Sequence, residues 1–328
     1  MVIIKVCDPV LYKKINTSIM QTLAYSINNM AGIIDFNILK IGCDDIHDYI
    51  IKTYNGEPDI LIFIYAIDVN LCTNIKNKYK NVKIYLFLED LHWRNHTVYN
   101  NNVNSFNLAD KIITLGSTNH INEFYNMNVD DKIYIMGQSC HDHFTKPNIN
   151  YNSEKKIFIY GVVTQKHYQL RYDFISMMNK NNLQDNYILL NHPGYRRKRS
   201  EYTKYTSDEL YKYSISFTSG LFPNFEIKQT KDSEYYLIAK FFEIMGSGVL
   251  LLCNDYGVKK QLNRLGFYEN IDYINVTNDT FLDTVNFLFD DNNNEKINEI
   301  RRSGHQKVIN NFTTKIKVDE LNEYLAKQ

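Results

Sequence analysis

Lys240-Phe-Phe-Glu243-Ile-Met-Gly246-Ser-Gly248 runs straight into Val249-Leu-Leu-Leu-Cys253. The first part reads as the end of a helix. Gly246-Ser-Gly248 stops it and allows backbones to come close. The second part is almost wholly apolar, as expected of a strand covered on both faces. Such helix–strand units belong to parallel α/β sheets. Lys240 and Glu243 are three residues apart and share one helix face. A carboxylate at Glu243 suits the vicinal diol of a ribose, and an ammonium at Lys240 suits a phosphate. A plainer reading is a helix-end ion pair with a glycine cap, worth a few tenths, about 0.2–0.5 kcal/mol.

Outward from this unit, the pattern is strand and helix in alternation. Strands are expected at 2–7, 36–41, 59–67, 82–88, 111–115 and 132–136. Helices are expected through about 28, near 45–54 and through 80. After a polar interruption at Lys146-Pro147-Asn148 the pattern restarts. Strands are then expected at 156–163, 187–190, 215–218, 249–253 and 272–276. Helices are expected at 168–180, 207–213, 232–245, 258–265, 280–290, 294–311 and 315–326. This is an α/β chain of two doubly wound units. We place the domains at 1–147 and 148–328, with the last helix packing back on the first. A single large α/β domain with insertions is the alternative. Open sheets of this kind bind ligands beyond the carboxyl ends of their strands, and two facing each other enclose a cleft.

Composition narrows the function. The chain has 328 residues, enough for two domains of roughly 100–200 residues each. Lys plus Arg and Asp plus Glu balance at 37 each, which argues against nucleic acid as the main partner. Five cysteines, at 7, 43, 72, 140 and 253, include no CxxC pair, so a reducing compartment is expected. The start Met1-Val-Ile-Ile-Lys-Val reads as a strand and not as a signal peptide. No apolar run approaches the roughly 20 residues of a membrane span. We therefore expect a cytoplasmic protein.

The ordered motifs of the second half resemble GT-B glycosyltransferases, in particular the branch related to the spore-coat protein CgeB. Lys240–Gly248 is similar to that family's K/R-x-F-E-x-M-x-x-G segment. Asp142-His-Phe144-Thr-Lys-Pro147 resembles its interdomain linker. Phe158-Ile-Tyr-Gly161 with Tyr168-Gln-Leu-Arg171 resembles the opening of its donor domain. His192-Pro-Gly194-Tyr and Ile300-Arg-Arg-Ser-Gly304 with Phe312-Thr follow in the family's order. The resemblance covers roughly residues 140–325; the first half matches only in its alternation of elements.

This resemblance implies the GT-B architecture: two Rossmann-like doubly wound domains facing a cleft, closed by C-terminal helices. It implies a sugar transferred from a nucleotide-diphosphate sugar, most often a UDP-sugar, to a hydroxyl of a glycan or protein acceptor. It implies Glu243 at the donor ribose and Gly161 near the diphosphate. Arg171 matches a family position, and Lys166, His192, Gly194, Lys240, Ser247 and Gly248 complete the expected donor site. Many retaining members carry a second glutamate eight positions before this one. Here that position is Tyr235, with Glu234 beside it.

Other stretches carry competing chemistry. Tyr85-Leu-Phe-Leu-Glu89-Asp90-Leu-His92-Trp93 puts acids, a histidine and the only tryptophan after an apolar strand. Asp90 and His92 are the candidates for the base that takes the acceptor proton, and Trp93 for stacking on a sugar. A strand-end turn with a buried tryptophan is the alternative. Arg196-Arg-Lys-Arg199 is a basic run, read as a solvated loop. Cys140-His141-Asp142-His143 hints at a metal, but no second cluster completes a tetrahedral set, so the linker reading is preferred. With no Asp-x-Asp in the chain, neither metal nor other cofactor is expected. The absence of GxxxxGK[ST] and GxGxxG argues against a nucleoside triphosphatase or a dehydrogenase. A sugar-nucleotide epimerase and a non-catalytic nucleotide-sugar-binding protein remain open on the same architecture.

Overall fold

The computed structural model describes residues 3–7, 59–64, 69–88, 103–115, 128–165, 168–191, 199–220 and 237–327. The strand expected at 36–41 and the helices expected before 28 and at 45–54 lie outside them. The chain separates into two compact units, Gln138–Lys317 and Met1–Gly137 with Val318–Gln328. Residues 138–147 therefore group with the second unit.

The described sheet of the first unit holds β1 (Ile3–Cys7), β2 (Ile60–Ile64), β3 (Lys83–Leu88), β4 (Lys111–Thr114) and β5 (Ile133–Ile135). They neighbour one another in that order and every pairing is parallel. Helix α1 (Val69–Lys78) crosses from β2 to β3. Ile60, Leu61 and Ile62 are all buried, as are Ile84, Tyr85, Leu86 and Phe87. Consecutive residues of a strand point to opposite faces, so both faces are covered. Tyr324, near the end of the chain, stacks on Tyr134 of β5 with ring centres 3.9 Å apart.

The second unit has β6 (Glu154–Gly161), α2 (Gln169–Lys180), β7 (Tyr187–Asn191), α3 (Arg199–Leu210), β8 (Tyr213–Ser219), α4 (Lys240–Gly246) and β9 (Leu250–Asn254). It continues with α5 (Lys259–Arg264), β10 (Ile274–Asn275), α6 (Phe281–Phe289) and α7 (Asn294–Asn311). Helix α8 (Thr314–Ala326) follows, and from Val318 onward it belongs to the first unit. Its sheet order is β7-β6-β8-β9-β10, again all parallel. The chain builds outward from β6 to β7, then returns to the other side of β6 and builds outward through β8, β9 and β10. The order reverses between β6 and β8, and there open α/β sheets leave a crevice for a ligand.

Side chains alternate across this sheet. Ile157, Ile159, Ile215, Phe217, Leu250 and Leu252 share a buried cluster with Phe174 and Met178 of α2 and with α6. Phe158, Tyr160, Leu251 and Cys253 share the other with Phe241, Phe242, Ile244 and Met245 of α4. The unbroken apolar run of β9 is thus split between two cores.

Two expected helices are corrected. Of the helix expected over 232–245, residues 232–236 lie outside the described residues; 237–239 are not helical, and the helix found is Lys240–Gly246. Seven residues are too few to hold a helix by propensity; its buried side chains hold it by packing. The helix expected over 207–213 is Arg199–Leu210, since 211–212 form a turn and β8 begins at Tyr213. Its buried stripe is Thr203, Thr206, Ser207 and Leu210. Helical spacing is present, but hydroxyls carry most of it. Among the described residues no helix is long and apolar enough to cross a membrane.

Candidate functional site

The end of α4 is a Schellman cap. Gly248 takes φ +68°, its N–H bonds the Met245 carbonyl, and the Val249 N–H bonds the Ile244 carbonyl. The start of α4 faces the other way along the helix. In a β–α–β unit the helix begins at the carboxyl end of the strand before it. Lys240 and Glu243 therefore sit in the first turn, at the edge where the sheet order reverses. Ser247 and Gly248 lie at the opposite end, about 10 Å along the axis from Lys240 and one turn, about 6 Å, from Glu243.

Gly161 closes β6 with φ +98°, a conformation that favours glycine. A Cβ there would lie 2.9 Å from Cε and 3.3 Å from Nζ of Lys240, and 3.6 Å from Nη1 of Arg171. Two cations therefore converge on one glycine at the mouth of the crevice. Arg171 is wholly buried. Its Nη1 donates to the Val162 carbonyl at 2.7 Å and its Nη2 to Thr218 Oγ1 at 3.0 Å. Its guanidinium also lies 4.4 Å over the Tyr168 ring. Arg171 thus ties the turn after β6 to the end of β8, across the reversal point. Cations packed this closely, in a site of low dielectric, favour an anion between them.

Glu243 is 7% exposed and its Oε2 accepts from the Tyr160 hydroxyl at 2.9 Å. Burial, and next the Glu243 charge, push the Tyr160 phenol well above its usual range. It stays protonated and donates. The Tyr160 ring also lies 5.2 Å from the Lys240 ammonium.

The structure thus brings together Gly161, Arg171, Lys240 and Glu243. It places Ser247 and Gly248 elsewhere. Ser247 Oγ donates to the Phe144 carbonyl at 3.1 Å, and Gly248 packs against Ile149, so both secure the segment that leads into β6. Asp90, His92, Trp93, Lys166, His192 and Gly194 lie outside the described residues, as do Glu234 and Tyr235.

Cys140-His141-Asp142-His143 is a structural turn. His141 Nδ1 accepts from the His143 N–H at 3.1 Å and caps the short helix Asp142–Phe144. Burial, and next His143, lower the His141 imidazole to about 4. Burial raises the Cys140 and Cys253 thiols, which makes them poor nucleophiles. Among the described residues no group of His, Cys, Asp or Glu is arranged to hold a metal ion.

Sequence reasoning missed Tyr160, Thr218 and Ser219. Ser219 is fully buried at the end of β8, and its hydroxyl has no hydrogen-bond partner among the described residues. An unpaired buried hydroxyl costs about 1–3 kcal/mol. Ser219→Ala is therefore expected to raise the melting temperature of the empty protein by roughly 2–4 °C, the scale of about 1 kcal/mol in a unit of this size. Thermal denaturation checks it, and a lower melting temperature contradicts it.

The sequence matches no family model, and no curated protein matches it. Solved structures match along the whole chain. HepE from Anabaena in complex with UDP superposes with a TM-score of 0.63 at 9% identity, covering 100% of both chains. A glycosyltransferase from Rickettsia africae ESF-5 gives 0.61 at 12% identity, over 99% of this chain and 98% of that one. An alpha-glucosyltransferase in complex with UDP-glucose and DNA containing an abasic site gives 0.58 at 11%, over 99% of each. The chain has the GT-B fold of these glycosyltransferases.

Proposed function

We propose that the second unit binds a nucleotide-diphosphate sugar, with UDP as the first nucleotide to test, and that the chain transfers the sugar to a hydroxyl of a glycan or protein acceptor. The convergence of Lys240 and Arg171 on Gly161, with Glu243 one turn along α4, carries this reading. A diphosphate brings two negative charges to a point where two positive ones meet. Lys240 and Arg171 then stabilise the charge that grows on the departing nucleotide, with no metal invoked. Glu243 accepts from the ribose hydroxyls. Asp90 and His92 are proposed as the base for the acceptor hydroxyl, and Trp93 as its stacking surface. Within the fold we place the chain nearest the CgeB-like branch, on the ordered motifs at 142–147, 158–171, 192–195, 240–248 and 300–313.

The test is release of nucleoside diphosphate from UDP- and GDP-sugars, with thermal denaturation alongside. The expected result is release from one of the two series. The matching nucleoside diphosphate, at a hundred times its dissociation constant, stabilises the protein by about 2.7 kcal/mol. No release together with no thermal shift by either nucleotide overturns the reading.

A further inference from the structure

We infer that Tyr160 is the positioning residue of the donor site, its hydroxyl fixing the Glu243 carboxylate and its ring seating the Lys240 ammonium, so that one side chain sets the spacing between the ribose contact and the diphosphate contact. This rests on the assignment of Glu243 and Lys240 to the donor.

Tyr160 is the penultimate residue of β6, and strand alternation turns it toward α4. Its neighbours in that core are Phe158, Phe241, Phe242 and Phe144. Its ring lies parallel to those of Phe144 and Phe158, with centres 6.2 and 5.8 Å away. For packing alone a phenylalanine would serve, as it does at the surrounding positions. A phenol hydroxyl in such a cluster costs free energy unless it finds a partner. The Tyr160 hydroxyl donates to Glu243 Oε2, at 2.9 Å. This bond holds Glu243 Oε2 at the Tyr160 hydroxyl and so restricts the orientations open to the carboxylate.

The second contact comes from the same ring. Lys240 begins α4 on a flexible four-carbon stem. The aromatic face at 5.2 Å draws its ammonium to the Gly161 side of the strand. Both groups are thereby registered against β6, whose carboxyl end forms one wall of the crevice. Tyr160 itself is 3% exposed, so it acts through Glu243 and Lys240 and not by touching the ligand.

Tyr160→Phe keeps the ring, the core volume and the contact to Lys240, and removes only the donor to Glu243. Calorimetry would measure affinity for UDP and for 2′,3′-dideoxy-UDP, or for GDP and its dideoxy form where UDP does not bind. In the wild type the hydroxyl-bearing nucleotide binds more tightly, by about ten-fold or more, the scale of a hydrogen bond to a charged group. In Tyr160→Phe that preference is expected to fall to within about three-fold, through weaker binding of the ribonucleotide alone. The dideoxy nucleotide should bind both proteins alike. Phe158→Leu, which disturbs the same core without a bond to Glu243, should lose stability and keep the preference. An unchanged preference in Tyr160→Phe, or equal losses for both nucleotides, overturns the positioning role while the nucleotide-binding assignment stands. A wild type that binds neither UDP nor GDP overturns the assignment and this inference together.

Discussion

Lys240→Met is expected to lower nucleotide-sugar turnover by about 100- to 1,000-fold, the usual effect of removing one preorganised group that meets developing charge. The ammonium sits beside Gly161, where the diphosphate is proposed to lie, and its stem passes close to that glycine. Methionine keeps an unbranched stem and nearly the same helix propensity, so α4 should persist. Lys240 is only partly buried, and the side chains that hold α4 in the core are Phe241, Phe242, Ile244 and Met245. The melting temperature should therefore stay close to that of the wild type while the rate falls. Initial rates of nucleoside-diphosphate release, measured with saturating donor, check the effect on kcat. A rate within five-fold of the wild type would show that the positive charge at this point does not serve the leaving group.

Gly248→Ala is expected to act on stability and not on chemistry, with a cost of roughly 2–5 kcal/mol. Gly248 has φ +68°, where an L side chain costs about 1–2 kcal/mol. The new methyl would also meet Ile149 Cγ1 at 2.8 Å and the Ile149 backbone at 3.1 Å. The backbone cannot swing aside as a side-chain tip can, so overpacking adds about 1–3 kcal/mol. The same residue offers its carbonyl to Arg301 Nε at 3.0 Å, and Arg301 Nη2 bonds the Asn150 carbonyl at 2.9 Å. A shift at 248 would therefore disturb α7 and the segment that enters β6 together. The drop in melting temperature should be about 5–15 °C for a unit of this size. Protein that remains folded should bind nucleotide with the wild-type affinity, because Gly248 lies at the far end of α4 from Lys240. Lost affinity with unchanged melting would contradict the structural role.

Much of the second unit is legible in its sequence, for physical reasons that differ by element. The cap Gly246-Ser-Gly248 and the apolar run of β9 carry local signals, and both stand where those signals put them. Helix α7 is found over 294–311 as its periodicity predicts. The order of the strands is not legible, because periodicity says which residues form a strand and nothing about its neighbour. That order decides the site, since it brings the end of β6 beside the end of β8. The position of helix α3 is not legible, because threonine and serine fill its buried stripe. Ser247 and Gly248 follow Glu243 closely in sequence, yet they close the end of α4 away from Gly161, against Phe144 and Ile149. The role of Tyr160 is not legible either, because an aromatic residue two places from Phe158 reads as core, and only the fold shows the carboxylate opposite its hydroxyl.

A structure of the chain with UDP bound decides whether Glu243 and Lys240 hold the donor. The ribose hydroxyls should lie within hydrogen-bond distance of the Glu243 carboxylate, and the diphosphate should lie against Gly161 and the Lys240 ammonium, at the crevice between β6 and β8. A nucleotide seated elsewhere on the chain, or a ribose with no contact to Glu243, would contradict it.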